Sequence, residues 1–275
     1  MVNFIKYQPK DTWIHRLSGV TKLIFFLAWS IVGMVTYDTR VLVSMCIISF
    51  IIFSQSKTEW KQVSTVVTMI SFFLVMNLIA IFIFAPYEGT KIYGTKTELL
   101  HILGQYSLTK EQLFYEFNVV LKYFTVIPAA LMFLVSTNPS EFAASLNKIG
   151  VSYNVGYAIS IALRYIPDVQ DDFDEIKTAQ QARGIDMSQN EKLSARIKKM
   201  VVIIFPLIFS SMERIDVVSN AMELRGFGKH RRRTWYAAKK ADRIDYISMM
   251  CILVFAITAI MITFSNGSRF YNPFI

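Results

Sequence analysis

Cysteine and histidine are scarce in this chain. Two cysteines, Cys46 and Cys251, stand far apart inside apolar stretches, and the three histidines, His15, His101 and His230, are not at ligand spacing from one another. Without a Cys-x-x-Cys pair, neither a metal site nor a redox framework is indicated. No His-Glu-x-x-His helix and no nucleophile elbow occurs, so the common hydrolase chemistries lack their residues. The segment Gly89-Thr90-Lys91-Ile92-Tyr93-Gly94-Thr95-Lys96 has the glycines of a phosphate loop. Its order after the second Gly is Thr-Lys where that loop needs Lys before the hydroxyl residue. No catalytic centre and no bound cofactor, metal or nucleotide is expected on this chain.

Charge is scarce in another sense, because it avoids certain windows altogether. The 275 residues are 53% hydrophobic, with mean hydropathy +0.39. That apolar content is clustered. A bilayer-spanning helix needs about 20 mostly apolar residues, and candidate spans lie at about 23–37, 41–53, 63–85, 117–135 and 246–264. Residues 89–116 read as a polar loop with a short helix around 98–104. Asn77 in the third span reads as a helix-packing hydrogen-bond donor, and Lys122 lies near the outer end of the fourth. So little intramembrane charge argues against a proton-driven carrier. The reading is an all-α integral membrane protein with about five transmembrane helices. It divides into 1–137 with four spans, a charged helical segment 138–245, and 246–275 with the last span and a polar tail. No small-residue cleavage site follows the first basic stretch, so the first span is read as retained.

The formal net charge of +9 sets the orientation, since Lys and Arg collect on the cytoplasmic side. With the N-terminus inside, residues 1–22, 54–62 and 138–245 hold 23 of the 29 Lys and Arg. The C-terminus is then outside. The basic run Lys229, His230, Arg231, Arg232 and Arg233, with Lys239, Lys240 and Arg243, precedes the last span. It reads as a juxtamembrane cluster, with anionic lipid as the partner of Lys229, Arg231, Arg232 and Arg233. Nucleic acid is not expected as a partner.

The charged segment contains a repeat. From Pro167 to Gly184, apolar residues recur at Val169, Phe173, Ile176 and Ala179, with acidic groups leading and basic ones following. That is an amphipathic helix whose charges suit its macrodipole. Aligning Arg183 with Arg225 also aligns Phe173 with Ile215, Asp174 with Asp216, Ile176 with Val218, Ala179 with Ala221 and Gly184 with Gly226. An Arg in a last turn followed by Gly is ordinary helix-ending chemistry. Two copies with matched stripes look like one device presented twice.

At these residues the chain resembles the EcfT/CbiQ family, the transmembrane T component of energy-coupling factor (ECF) transporters. The resemblance is carried by His15-Arg16-Leu17-Ser18-Gly19-Val20-Thr21-Lys22-Leu23, by Ser136-Thr137-Asn138-Pro139-Ser140-Glu141, by Leu163-Arg164-Tyr165-Ile166-Pro167 running on to Ala179-Gln180-Gln181-Ala182-Arg183-Gly184, and by Ala221-Met222-Glu223-Leu224-Arg225-Gly226-Phe227. Leu224 stands where the family commonly has Ala or Ser. The resemblance implies a subunit that is not itself an enzyme. It would join two cytoplasmic ABC-type ATPases, which hold ATP and Mg, to a substrate-binding S component for import of a vitamin or other micronutrient. It also implies that the long cytoplasmic helices between the fourth and fifth spans are coupling helices. They would dock through Ala182, Arg183, Gly184, Leu224, Arg225 and Gly226. Two alternatives stay open: an ordinary ABC permease with its own substrate path, or a membrane anchor or enzyme using the basic segment.

Overall fold

The computed structural model describes residues 7, 10–103, 106–184, 193–229, 234–265 and 267–274. The elements, in chain order, are α1 (Trp13–Arg16), α2 (Gly19–Val35), α3 (Thr39–Gln55), α4 (Trp60–Phe84), α5 (Glu88–Tyr93), β1 (Glu98–Leu103), β2 (Tyr106–Thr109), α6 (Lys110–Ser136), α7 (Pro139–Lys148), α8 (Tyr153–Ala182), α9 (Leu193–Leu224) and α10 (Arg243–Phe264). The chain forms two compact units, Met1–Phe142 with Lys239–Ile275, and Ala143–Ala238.

The first unit is a bundle of α2, α3, α6 and α10 with α4 against α6. Helices α4, α6 and α10 are long and apolar enough to cross a membrane, whereas α2 and α3 have 17 residues each. At 1.5 Å per residue those two reach roughly 25 Å, a little short of the hydrocarbon core. Their starts are set by side chains that take up otherwise unpaired backbone N–H groups. Ser18 Oγ accepts from Thr21 N, Asp38 from Arg40 N and Thr109 Oγ1 from Gln112 N. Asp242 and Asp245 cap α10 reciprocally.

Phe25, Trp29, Val32, Val41, Met45, Ala129, Met132 and Ala259 fill the bundle core. Trp29 Nε1 donates to Ser49 Oγ at 2.6 Å, and Ser49 Oγ donates to the Thr125 carbonyl at 2.8 Å. This chain of hydrogen bonds ties α2, α3 and α6 where water cannot substitute. By contrast, the most apolar stretch of α4 has none of its residues buried. Val63, Leu131 and Val135 pack where its first turns meet α6. Asn77, expected to donate between helices, is therefore exposed rather than packed within this chain.

The short helix expected around 98–104 is instead the first strand of an antiparallel hairpin, Glu98 pairing with Thr109 and Leu100 with Leu108. α6 also begins seven residues before the expected span, because its polar first turn is satisfied. Glu111 accepts from Thr97 N and Oγ1, and Gln112 Oε1 from Gly89 N. At the same end, the C-terminal tail is tied down. Tyr37 N donates to Arg269 O at 3.0 Å, Asn272 Nδ2 donates to Tyr93 O at 3.0 Å, and the Tyr37 and Phe270 rings lie 4.7 Å apart. Lys122 Nζ sits 3.2 Å from the Tyr37 ring centre and donates to Met34 O, so its charge is met by a π face.

Candidate functional site

In the second unit, α8 starts earlier than the expected Pro167. Ser152 caps it by accepting from Val155 N. Pro167 lies inside the helix, where it forfeits one backbone bond. The helix ends at Ala182, and Arg183 N–H reaches back to Ala179 O and Gln180 O. Gly184 follows at φ +86°, with its N–H on Gln181 O at 3.0 Å.

The second copy ends α9 in the same manner. Arg225 N donates to Ala221 O, Gly226 N to Glu223 O at 2.8 Å, and Phe227 N to Met222 O at 2.9 Å. Gly226 is at φ +68°. Those two last bonds are the 5→2 and 6→1 pair of a Schellman motif. Both Arg residues are exposed, and Leu224 is 89% exposed. Behind the second end, Phe227 packs on Tyr157 at 4.7 Å and on Tyr153 at 6.1 Å, and Trp235 lies 5.3 Å from Tyr153. Trp235 Nε1 donates to Asn147 Oδ1.

These contacts place the start of α8 beside the end of α9, so the two helices run antiparallel. Arg214 on α9 faces α8, with Nη2 2.6 Å from Asp172 Oδ2 and Nη1 3.7 Å from Asp168 Oδ2. Beside it is a largely apolar cavity of about 360 Å³ lined by Ile161, Tyr165, Val169, Ile215, Val218 and Met222. The repeated Asp174 and Asp216 do not join the helices; Arg214, which the repeat pattern passed over, does. Antiparallel packing also keeps the two Arg-Gly ends apart. Tyr157, level with Phe227, is 26 residues before Arg183, which at 1.5 Å per residue puts the ends on the order of 30–40 Å from each other.

The first two motif stretches meet in the other unit, in a buried polar knot. Lys22, 1% exposed, donates Nζ to Ser136 O at 2.7 Å. Asp245 Oδ1 accepts from Ser18 N at 2.8 Å and from Thr21 Oγ1 at 2.7 Å, and its other oxygen accepts from Asp242 N. Lys239 Nζ donates to His15 O at 2.9 Å and lies 3.6 Å from the buried Glu141 carboxylate. Lys239, expected as part of the juxtamembrane basic cluster, takes part in this knot. Of the expected lipid-facing residues, Lys229 is exposed, while Arg231, Arg232 and Arg233 lie outside the described residues. Among the described residues, no three His, Cys, Asp or Glu side chains converge to hold a metal ion.

The chain matches the model of the CbiQ family, described as cobalt transport protein, over residues 10–236. It is similar along its length to proteins named energy-coupling factor transporter transmembrane protein EcfT. That of Leuconostoc gelidum is 25% identical over 264 residues, 92% of this chain and 93% of the relative. That of Staphylococcus aureus is 25% identical over 273 residues, 95% and 97% of the two chains. That of Clostridium kluyveri is 26% identical over 264 residues, 93% and 94%.

Proposed function

The chain belongs to the EcfT/CbiQ family, and we propose that it is the coupling subunit of an ECF-type importer, linking two cytoplasmic ABC-type ATPases to a substrate-binding membrane protein. The observation that carries this reading is the pair of Arg-Gly ends at opposite ends of one antiparallel helix pair. Two like guanidinium groups held tens of ångströms apart on rigid helices suit two like partners rather than one. A guanidinium is permanently charged and forked, fitted to carboxylates or carbonyls in a groove. A helix behind each one transmits a partner's displacement without absorbing it. The ATPases hold ATP and Mg and perform the hydrolysis, and a vitamin or other micronutrient is held by the membrane partner. The anionic leaflet faces Lys229 and the basic residues after it.

Co-purification of the tagged chain from its own membranes tests this. Two ATPase chains are expected with the unaltered protein and are expected to be lost with Arg183→Glu and Arg225→Glu together. Each single variant is expected to retain one. A double variant that keeps both ATPases at unaltered stoichiometry ends the proposal.

A further inference from the structure

Arg214 and Asp172 occupy equivalent positions of the repeat. The register that aligns Arg183 with Arg225 has an offset of 42 residues, and Arg214 follows Asp172 by the same 42. Each stands eleven residues before its own terminal Arg. In an antiparallel pair of equivalent helices, equivalent positions can meet only where the local two-fold axis passes. The 2.6 Å contact therefore marks that axis. From it the two arms run out in opposite directions for equal lengths, each roughly 16 Å at 1.5 Å per residue.

At this level the repeat carries opposite charges, as a crossing requires. Two Asp or two Arg residues there would repel, whereas Asp on one helix and Arg on the other attract. The acidic side is doubled by Asp168, one turn back on the same face of α8, and Tyr165 lies 5.8 Å beneath the guanidinium. Both side chains are half-buried, Arg214 at 32% exposed and Asp172 at 23%. The cavity beside the pair is lined mainly by apolar residues, among them Ile161, Val169, Ile215, Val218 and Met222, with Ser211 and Ser219, and apolar contacts permit sliding. A partly buried charge pair fixes register where apolar contacts do not.

We propose that Arg214, gripped by Asp172 and Asp168, is a positioning residue, the pin about which the arms ending at Arg183 and Arg225 turn. It keeps the arms equal, so that both ATPases move the membrane part to the same extent. This rests on the coupling reading, and the experiment separates the two.

Spin labels are placed at Gln181→Cys and Glu223→Cys, both exposed sites, with Cys46 and Cys251 changed to Ser. Their separation is measured by pulsed EPR in the complete complex in liposomes, with and without Mg-ATP. With Arg214 present, a narrow distribution that shifts on Mg-ATP is expected. In Arg214→Ala the distribution is expected to widen at least twofold and the shift to vanish, with both ATPases still bound. Asp172→Arg with Arg214→Asp is expected to restore both. A narrow, shifting distribution in Arg214→Ala overturns the pin, and so does a charge swap that restores neither. If the protein with Arg214 intact binds no ATPases or never shifts, the coupling reading falls and takes the pin with it.

Discussion

Arg183 and Arg225 end their helices alike but stand on different footings. Phe227 anchors the second end in a cluster with Tyr153, Tyr157 and Trp235. At the first end, the direction of Arg183 is set by the turn itself. Gly184 is at φ +86°, and a Cβ added there would meet nothing within 4 Å. A side chain is therefore penalised by backbone conformation and not by a clash, at about 1–2 kcal/mol for most L-residues. Asn enters this region more readily than a β-branched residue. Gly184→Asn is expected to bind the ATPases nearly as the unaltered chain does, and Gly184→Val roughly tenfold more weakly, since 1.4 kcal/mol is a factor of ten. Titration of purified ATPase subunits onto the liposome-held chain checks this. Equal affinities for Asn and Val would mean that the left-handed turn does not aim Arg183.

At the scale of elements, the legible parts were those fixed by short-range chemistry. Gly184 and Gly226 were readable as helix stops because Gly tolerates the left-handed cap, and the spans were readable as apolar runs. The polar knot was not. Lys22 looks like a flanking charge until its acceptor is known, and that acceptor, Ser136 O, is 114 residues away. The hairpin is not legible in the sequence because Glu98-Leu99-Leu100-His101-Ile102-Leu103 spaces its apolar residues as well for a helix as for a strand. The knot carries its own prediction. Glu141 is 4% exposed and faces Lys239, whose side chain is 42% exposed. Removing the lysine takes one positive neighbour from a buried carboxylate that also interacts with Lys22, a loss discounted for the solvent that reaches Lys239 to about 1–2 kcal/mol. Lys239→Met is expected to lower the melting temperature in detergent by several degrees. Adding Glu141→Leu is expected to recover most of the loss, because an apolar replacement of both partners is near neutral. A double variant no more stable than the sum of its singles predicts would show that the pair does not act as a unit.

At the scale of the molecule, the bundle sorts its connections onto two ends in a way that bears on orientation. Residues Thr36–Asp38, the α5 segment, the start of α6 and the tail Arg269–Asn272 gather at one end through Tyr37, Tyr93 and Lys122. The other end gathers His15–Lys22, Ser136, Glu141, Lys239 and Asp245. The charge distribution groups the same stretches, since the segments that include His15–Lys22, Glu141, Lys239 and Asp245 hold 23 of the 29 Lys and Arg. Each tail contact therefore costs an interaction if the C-terminus is forced to the Lys-rich side. With the N-terminus cytoplasmic, a reporter enzyme active only outside the cytoplasm is expected to be active when fused after the tail. It is expected to be silent when inserted after Lys57. Adding four lysines behind residue 275 is expected to lower the tail-fusion signal, since C-terminal positive charge competes with the existing bias. Arg269→Glu with Lys122→Met removes positive charge from the tail end and is expected to leave the orientation unchanged. A silent fusion after the tail, or activity after Lys57, would reverse the orientation and move both Arg-Gly ends away from the side on which ATP is available.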